Sequence, residues 1–247
     1  MAEFKFPTET IDLPSKGLVY PESNPLSKGF VEMKYMTAKE EDILTNQAYV
    51  KKGVVFDKLI NSLIMTEGVN IEDLIVGDKN AILIAARVLG YGADYKFNYL
   101  GKEHSVDLTT LDNKPIDESL FTKGTNEFSY VLPHSKVTVS FKLLTGKDEK
   151  EIEAELEGYK KINKDNSPEL TTRLKQIITA IDGNYDKKVI REFVDNYLLA
   201  KDSRELRNYI SSFQPDVNTK VKINTFDDLE EEIDLPVDLS FFYPESW

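Results

Sequence analysis

The stretch Ala81-Ile-Leu-Ile-Ala-Ala-Arg-Val-Leu-Gly-Tyr-Gly-Ala-Asp-Tyr-Lys-Phe-Asn-Tyr99, continued by Leu100-Gly-Lys-Glu-His-Ser-Val-Asp-Leu108, changes its hydrophobic period midway. Up to Leu89 it is apolar almost all round, the pattern of a buried helix. Gly90 has the place of a C-terminal cap. From Tyr95 the polarity alternates, so Tyr95 to Tyr99 and His104 to Leu108 read as two strands of a hairpin around Leu100-Gly101-Lys102-Glu103. A central helix that hands over to a hairpin, rather than to a crossover, argues for helices and strands in separate blocks.

Upstream, Thr37 and Glu40 make a capping box for a helix whose buried stripe is Ile43, Leu44, Ala48 and Val50. Gly53 breaks it, and a second helix spans about Val54 to Met65. The central helix opens after Asp78. The first 36 residues read as an extended arm, because Pro7, Pro14, Pro21 and Pro25 forbid helix interiors; Phe30 to Met36 alternates as a strand does. Downstream, Glu127–Val131 and Lys136–Leu143 form a second hairpin, with Pro133-His134-Ser135 in its turn. Helices follow over about Lys147–Ile162, from Ser167-Pro168-Glu169 to near Asp182-Gly183, over Lys187–Ala200 and over Ser203–Phe213. The last opens on a capping box of Asp202 with Glu205. Val217–Thr225 and Ile233–Phe242 read as closing strands around an acidic loop. No repeat of roughly 20–50 residues is present, which disfavours a solenoid. The expected fold is α+β: an extended arm (1–36), a helical N-terminal part (37–90), central antiparallel hairpins (91–146), a second helical part (147–214), and acidic C-terminal strands with an aromatic tail (215–247), in one or two compact domains.

The 247 residues contain no cysteine, which excludes disulfides, thiolate metal sites and cysteine nucleophiles and suits a reducing compartment. The N-terminus lacks the basic flank and apolar run of a secretory signal, and the apolar run at Ala81–Leu89 is too short to span a bilayer. A net charge of −12 is a poor match to phosphate neutralisation, so neither nucleic acid nor membrane is an expected partner. From Pro215 to Trp247, nine acidic residues and two lysines concentrate −7 of that charge. The ordinary reading of such a run is solubility; the functional one is steering of a basic partner.

Chemistry is sparse. Gly90-Tyr91-Gly92 follows a helix rather than a strand and lacks the lysine and hydroxyl of a phosphate loop. His104 and His134 are the only histidines, fewer than zinc chemistry asks of its ligands, and they read as hairpin surface residues. Asp227-Asp-Leu-Glu-Glu-Glu232 lacks the ligand spacing and glycine of a calcium loop. No catalytic, cofactor or metal residue is therefore assigned, and the chain is expected to act by binding proteins. A metal-dependent hydrolase built on His104, His134 and a carboxylate is the remote alternative. Leu18, Tyr20, Tyr35, Phe241, Phe242, Tyr243 and Trp247 are the expected contact residues, because aromatic anchors dominate protein interfaces. Folding of the aromatic tail into the core as an edge strand is the competing reading. Arg87, in the apolar helix, is expected to need a buried carboxylate partner.

The words Leu13-Pro-Ser-Lys-Gly-Leu-Val-Tyr-Pro21, Asn24-Pro25, Gly29 and Val31-Glu-Met-Lys-Tyr-Met-Thr-Ala-Lys-Glu-Glu-Asp-Ile-Leu-Thr45 resemble the baseplate hub assembly proteins of T-even-like contractile-tailed phages. Gly53 to Ile60, Asp73 to Gly92 and the ending Asp238-Leu-Ser-Phe-Phe-Tyr-Pro244 look like the same family. The resemblance is strongest over residues 11–109 and returns at the C-terminus. Some relatives carry paired cysteines in the first hairpin; Tyr99 to His104 has none, so no metal role carries over. The resemblance implies no catalytic residues. It implies a late phage protein of the host cytoplasm that helps build the baseplate hub by binding hub or tail proteins and then leaves. A permanent place in the virion baseplate is the alternative.

Overall fold

The computed structural model describes residues 7–162, 168–224 and 230–242. The fold is α+β, with small antiparallel sheets set among helices. Residues 7–36 do not run as an extended arm. Strand β1 (Thr8–Asp12) pairs antiparallel with β2 (Phe30–Lys34), and the intervening chain packs inward, burying Leu13, Val19, Tyr20 and Leu26. Its prolines exclude helix but not return: Pro25 opens a 3-10 turn, and Gly17 and Gly29 (φ +76° and +80°) let two backbone segments touch. A Cβ on Gly17 would sit 2.5 Å from the Ser27 carbonyl oxygen.

Helix α1 (Ala38–Thr45) stops at Asn46, whose side chain caps a separate short helix, α2 (Gln47–Lys51). Helix α3 (Val55–Leu63) and the central α4 (Val76–Tyr91) follow. Gly90 does not end α4; it lies inside the helix against the Met36 thioether, and Gly92 terminates it. Strands β3 (Asp94–Tyr99) and β4 (Lys102–Asp107) turn on Leu100-Gly101, both at positive φ, the two-residue turn that matches strand twist. Then come β5 (Phe128–Val131), β6 (Thr138–Phe141), α5 (Gly146–Ile162) and α6 (Glu169–Ile177).

Sequence periodicity carries α6 on to Asp182-Gly183. Instead it ends at Ile177, and Ile178–Ile181 is a strand, β7, that joins β6. Its apolar run packs equally well in either form, and the open edge of β6 decides. Ser167, the expected cap of α6, lies outside the described residues. Helices α7 (Lys187–Asn196) and α8 (Ala200–Phe213) lead to the hairpin β8 (Lys220–Asn224) and β9 (Glu230–Asp234). Leu239–Phe242 is a 3-10 turn, not a strand end.

Every buried carboxylate among the described residues, Glu40, Asp78, Asp148 and Asp202, is the third residue of its helix. There it lies in the first turn, at the positive end of the helix dipole, which lowers the cost of burying the charge. Each also ties down another part of the chain. Asp78 accepts from Ser15 N–H (2.9 Å), Ser15 Oγ (2.7 Å) and Tyr20 Oη (2.6 Å). Asp202 is no N-cap; it accepts from the N–H groups of His134 and Ser135, both at 2.9 Å, and so holds the β5–β6 turn.

These ties reveal two halves wired alike. In the first, Lys34 pairs with Glu40 (2.7 Å) and Thr37 binds Glu40; in the second, Lys142 pairs with Asp148 (2.6 Å) and Thr145 binds Asp148. Leu13-Pro14-Ser15-Lys16 hooks onto Asp78 as Leu132-Pro133-His134-Ser135-Lys136 hooks onto Asp202, each with its lysine at positive φ. The strand registers agree: Ile11 opposes Val31 and Tyr130 opposes Val139, while Met33 bridges Ile64 as Phe141 pairs Ile178. A hairpin follows α4, and another follows α8. Each half then closes on an aspartate, Asp107 or Asp238, that binds the hydroxyl two residues on. The halves meet where Leu74-Ile75-Val76 receives Leu144-Thr145-Gly146 in a short antiparallel bridge.

Candidate functional site

Of the expected contact residues, Tyr20, Phe241 and Phe242 are core. Tyr20 donates its hydroxyl to Asp78 and accepts the Ile75 N–H (3.0 Å). Burial, together with the neighbouring Asp78 charge, pushes its pKa well up, so it stays neutral. Burial also pushes the Asp78 carboxyl up, against the pull of the Tyr20 and Ser15 hydrogen bonds. Phe241 packs on Tyr95 (ring centroids 4.8 Å apart) and Phe242 on Phe56 (5.7 Å). Aromatic side chains of this size gain most from full burial, and the 3-10 turn points both of them inward. Leu18 is half-buried, and Tyr35 is half-buried with its hydroxyl on Glu9 (3.0 Å). Tyr243 and Trp247 lie outside the described residues. Of the five that are described, three are in the core, and the five do not form one surface.

Arg87 anchors the C-terminal turn by another route than expected. Its Nε donates to the Phe241 carbonyl and its Nη1 to the Gly92 carbonyl, each at 3.0 Å. Its guanidinium carbon lies 5.2 Å from the Tyr91 ring centre and 5.8 Å from that of Tyr95. Carbonyl dipoles and ring faces here take the role assigned to a carboxylate.

His104 stacks on Phe97 (5.7 Å) in the β3–β4 hairpin, and His134 is exposed in the β5–β6 turn with its backbone N–H on Asp202. They belong to different halves. Of the acidic run, Asp227, Asp228 and Leu229 are outside the described residues. Glu230, Glu231 and Glu232 are on β9, where Lys222, Tyr99 and Lys220 partner them. A cavity of about 480 Å3 gathers Lys142, Lys147, Lys175, Lys187 and Arg191. Lys142, Lys175 and Arg191 already pair with Asp148, Asp195 and Glu155, so most of that positive charge is internally compensated.

The apolar side chains left in solvent were not among the expected residues. Val131 (56 % exposed) ends β5, Leu100 tips the first hairpin, and Tyr197 (62 %) and Leu199 (50 %) form a shoulder between α7 and α8. The helix expected over Lys187–Ala200 contains Tyr197 and Leu199; in the structure both lie in the break between α7 and α8, and both are exposed. No helix among the described residues is long and apolar enough to cross a membrane. No protein-family model, curated protein or solved structure matches the chain.

Proposed function

We propose that this chain is an assembly factor for the baseplate hub of a contractile-tailed phage, and that it works by binding hub subunits rather than by catalysis. The observation that carries the reading is the run of family-like words over residues 11–109 and 238–244. Those words interlock in space: Leu13–Pro21 hooks onto Asp78 within Asp73–Gly92, and Arg87 of the same helix holds Phe241 of the closing word. The net charge of −12 suits reversible, salt-sensitive contacts.

The test is a pull-down from phage-infected cells at low and high salt, with mass spectrometry of the eluate and of purified virions. Hub proteins in the low-salt eluate, with this chain absent from virions, are expected. This chain at fixed stoichiometry in virions would instead make it a permanent baseplate subunit. An eluate without tail proteins would remove the hub reading.

A further inference from the structure

The two halves of the chain are joined by a contact whose components each half carries, and the tandem leaves one of each unused. At the junction, Gly146 N–H donates to the Leu74 carbonyl (2.9 Å), and Val76 N–H donates to the Leu144 carbonyl (3.1 Å). Lys150, one turn into α5, bridges Asp57 (3.0 Å) and Glu72 (2.9 Å). The result buries Ile75 to 1 % exposure. In the matched wiring of the halves, Leu198-Leu199-Ala200 corresponds to Leu74-Ile75-Val76. Both segments lead into the helix whose third residue is the hooked aspartate. Met36-Thr37-Ala38 corresponds to Leu144-Thr145-Gly146, because both enter the helix whose third residue pairs with a lysine six positions back.

Neither counterpart is occupied within the chain. Leu199 is 50 % exposed and Tyr197 62 %, and Ala38 and Ala200 are exposed. The N–H groups of Ala38 and Ala200 are first-turn donors, and neither has an acceptor among the described residues. We propose that the Tyr197–Ala200 shoulder of one molecule binds the Met36–Ala38 approach of a second copy, repeating between molecules the contact that joins the halves.

A second copy is the occupant because it carries the segment that the junction uses. Side-chain polarity also matches. Asp42 stands in the place of Lys150; Thr171, whose hydroxyl donates to the Pro168 carbonyl (3.2 Å), and Asn196, whose amide can donate, stand in the places of Asp57 and Glu72. Both sides of the lysine–acid contact are thus replaced together. One difference sets the strength. A Cβ on Gly146 would lie 3.0 Å from the Ile71 carbonyl oxygen and 3.4 Å from the Glu72 Cα, and Ala38 has that Cβ. The intermolecular contact is accordingly tighter sterically and weaker than the internal one. The two surfaces involved are different, so the association is head to tail and extends beyond a dimer. This inference stands apart from the hub reading.

Sedimentation velocity on the full chain, from roughly 1 µM to about 1 mM, tests it across the range expected of weak association. The mass is expected to rise with concentration past twice 28.2 kDa without stopping at a dimer. Ala38→Gly removes the crowding Cβ and is expected to move the onset to about tenfold lower concentration. Leu199→Arg, at an exposed position, is expected to melt like the wild type and to remain at 28.2 kDa. Wild type and Ala38→Gly both remaining monomeric at the highest concentration would overturn the proposal. So would a plateau at a closed dimer, or association of Leu199→Arg at wild-type strength.

Discussion

Glu40 shows how a single side chain in this protein joins charge to fold. Burial alone would raise its carboxyl, but the Lys34 ammonium, the Ser62 hydroxyl and the Thr37 donors bring it from an ordinary 4.5 down to about 2. A carboxylate depressed in the folded state contributes stability that is complete above its unfolded value and disappears as pH falls through the folded one. The stabilisation from Glu40, about 2–3 kcal/mol, is therefore expected in full above pH 4.5 and lost on descent to pH 2. Glu40→Gln should remove that part of the acid limb in urea titrations and cost roughly 3 kcal/mol near neutrality, because it takes the charge out of the buried contacts with Lys34, Thr37 and Ser62. Arg87→Leu should destabilise the fold by about 2–3 kcal/mol through two orphaned carbonyls, those of Phe241 and Gly92. Hydrogen exchange would then rise first in Leu239–Phe242. Unchanged protection there would contradict the anchoring role. Thr37 and Glu40 were legible as a pair from their spacing alone. The partners of Arg87 were not, because backbone carbonyls leave no trace in side-chain sequence.

Among the elements, the third-residue acids turn helix starts into fasteners for remote turns. Asp202→Ala is expected to release the His134 and Ser135 amides, cost about 2 kcal/mol, and speed exchange in the β5–β6 turn while leaving β1–β2 protected. Asp78→Ala should show the reverse pattern around Ser15, and either variant loosening both turns alike would argue against separate locks. Strong helical periodicity placed α3, α4, α5 and α8 from sequence, and alternation with a glycine turn placed β3 and β4. The apolar run Ile178–Ile181 satisfies either period, so only the neighbouring edge of β6 could assign it to a strand. Asp202 with Glu205 has the spacing of a cap; the helix instead starts earlier, at Ala200, and turns that aspartate toward the hairpin.

At the scale of the whole molecule, the halves are held by the Leu74–Val76 bridge, by Lys150, and by the closing turn, where Arg87, Tyr95 and Phe56 take Phe241 and Phe242. Lys150→Glu sets a third acid against Asp57 and Glu72 and is expected to lower stability by about 1 kcal/mol, with the loss shrinking in high salt. A salt-independent loss would mean that packing, not charge, is what the lysine supplies. The likeness of the halves was hidden in the linear chain because its matched words are short and lie far apart. Lys34-Tyr-Met-Thr37 and Lys142-Leu-Leu-Thr145 become equivalent only once their hydrogen bonds are seen. Composition and periodicity by themselves determined the α+β class, most helices and hairpins, and the absence of cysteine chemistry, since these rest on residue type and local spacing. Which aromatics are core and which are surface, how residues 7–36 fold back, and where the chain leaves an open shoulder were decided by tertiary structure alone. Burial is a property of what packs against a side chain, and here that partner is commonly tens of residues away.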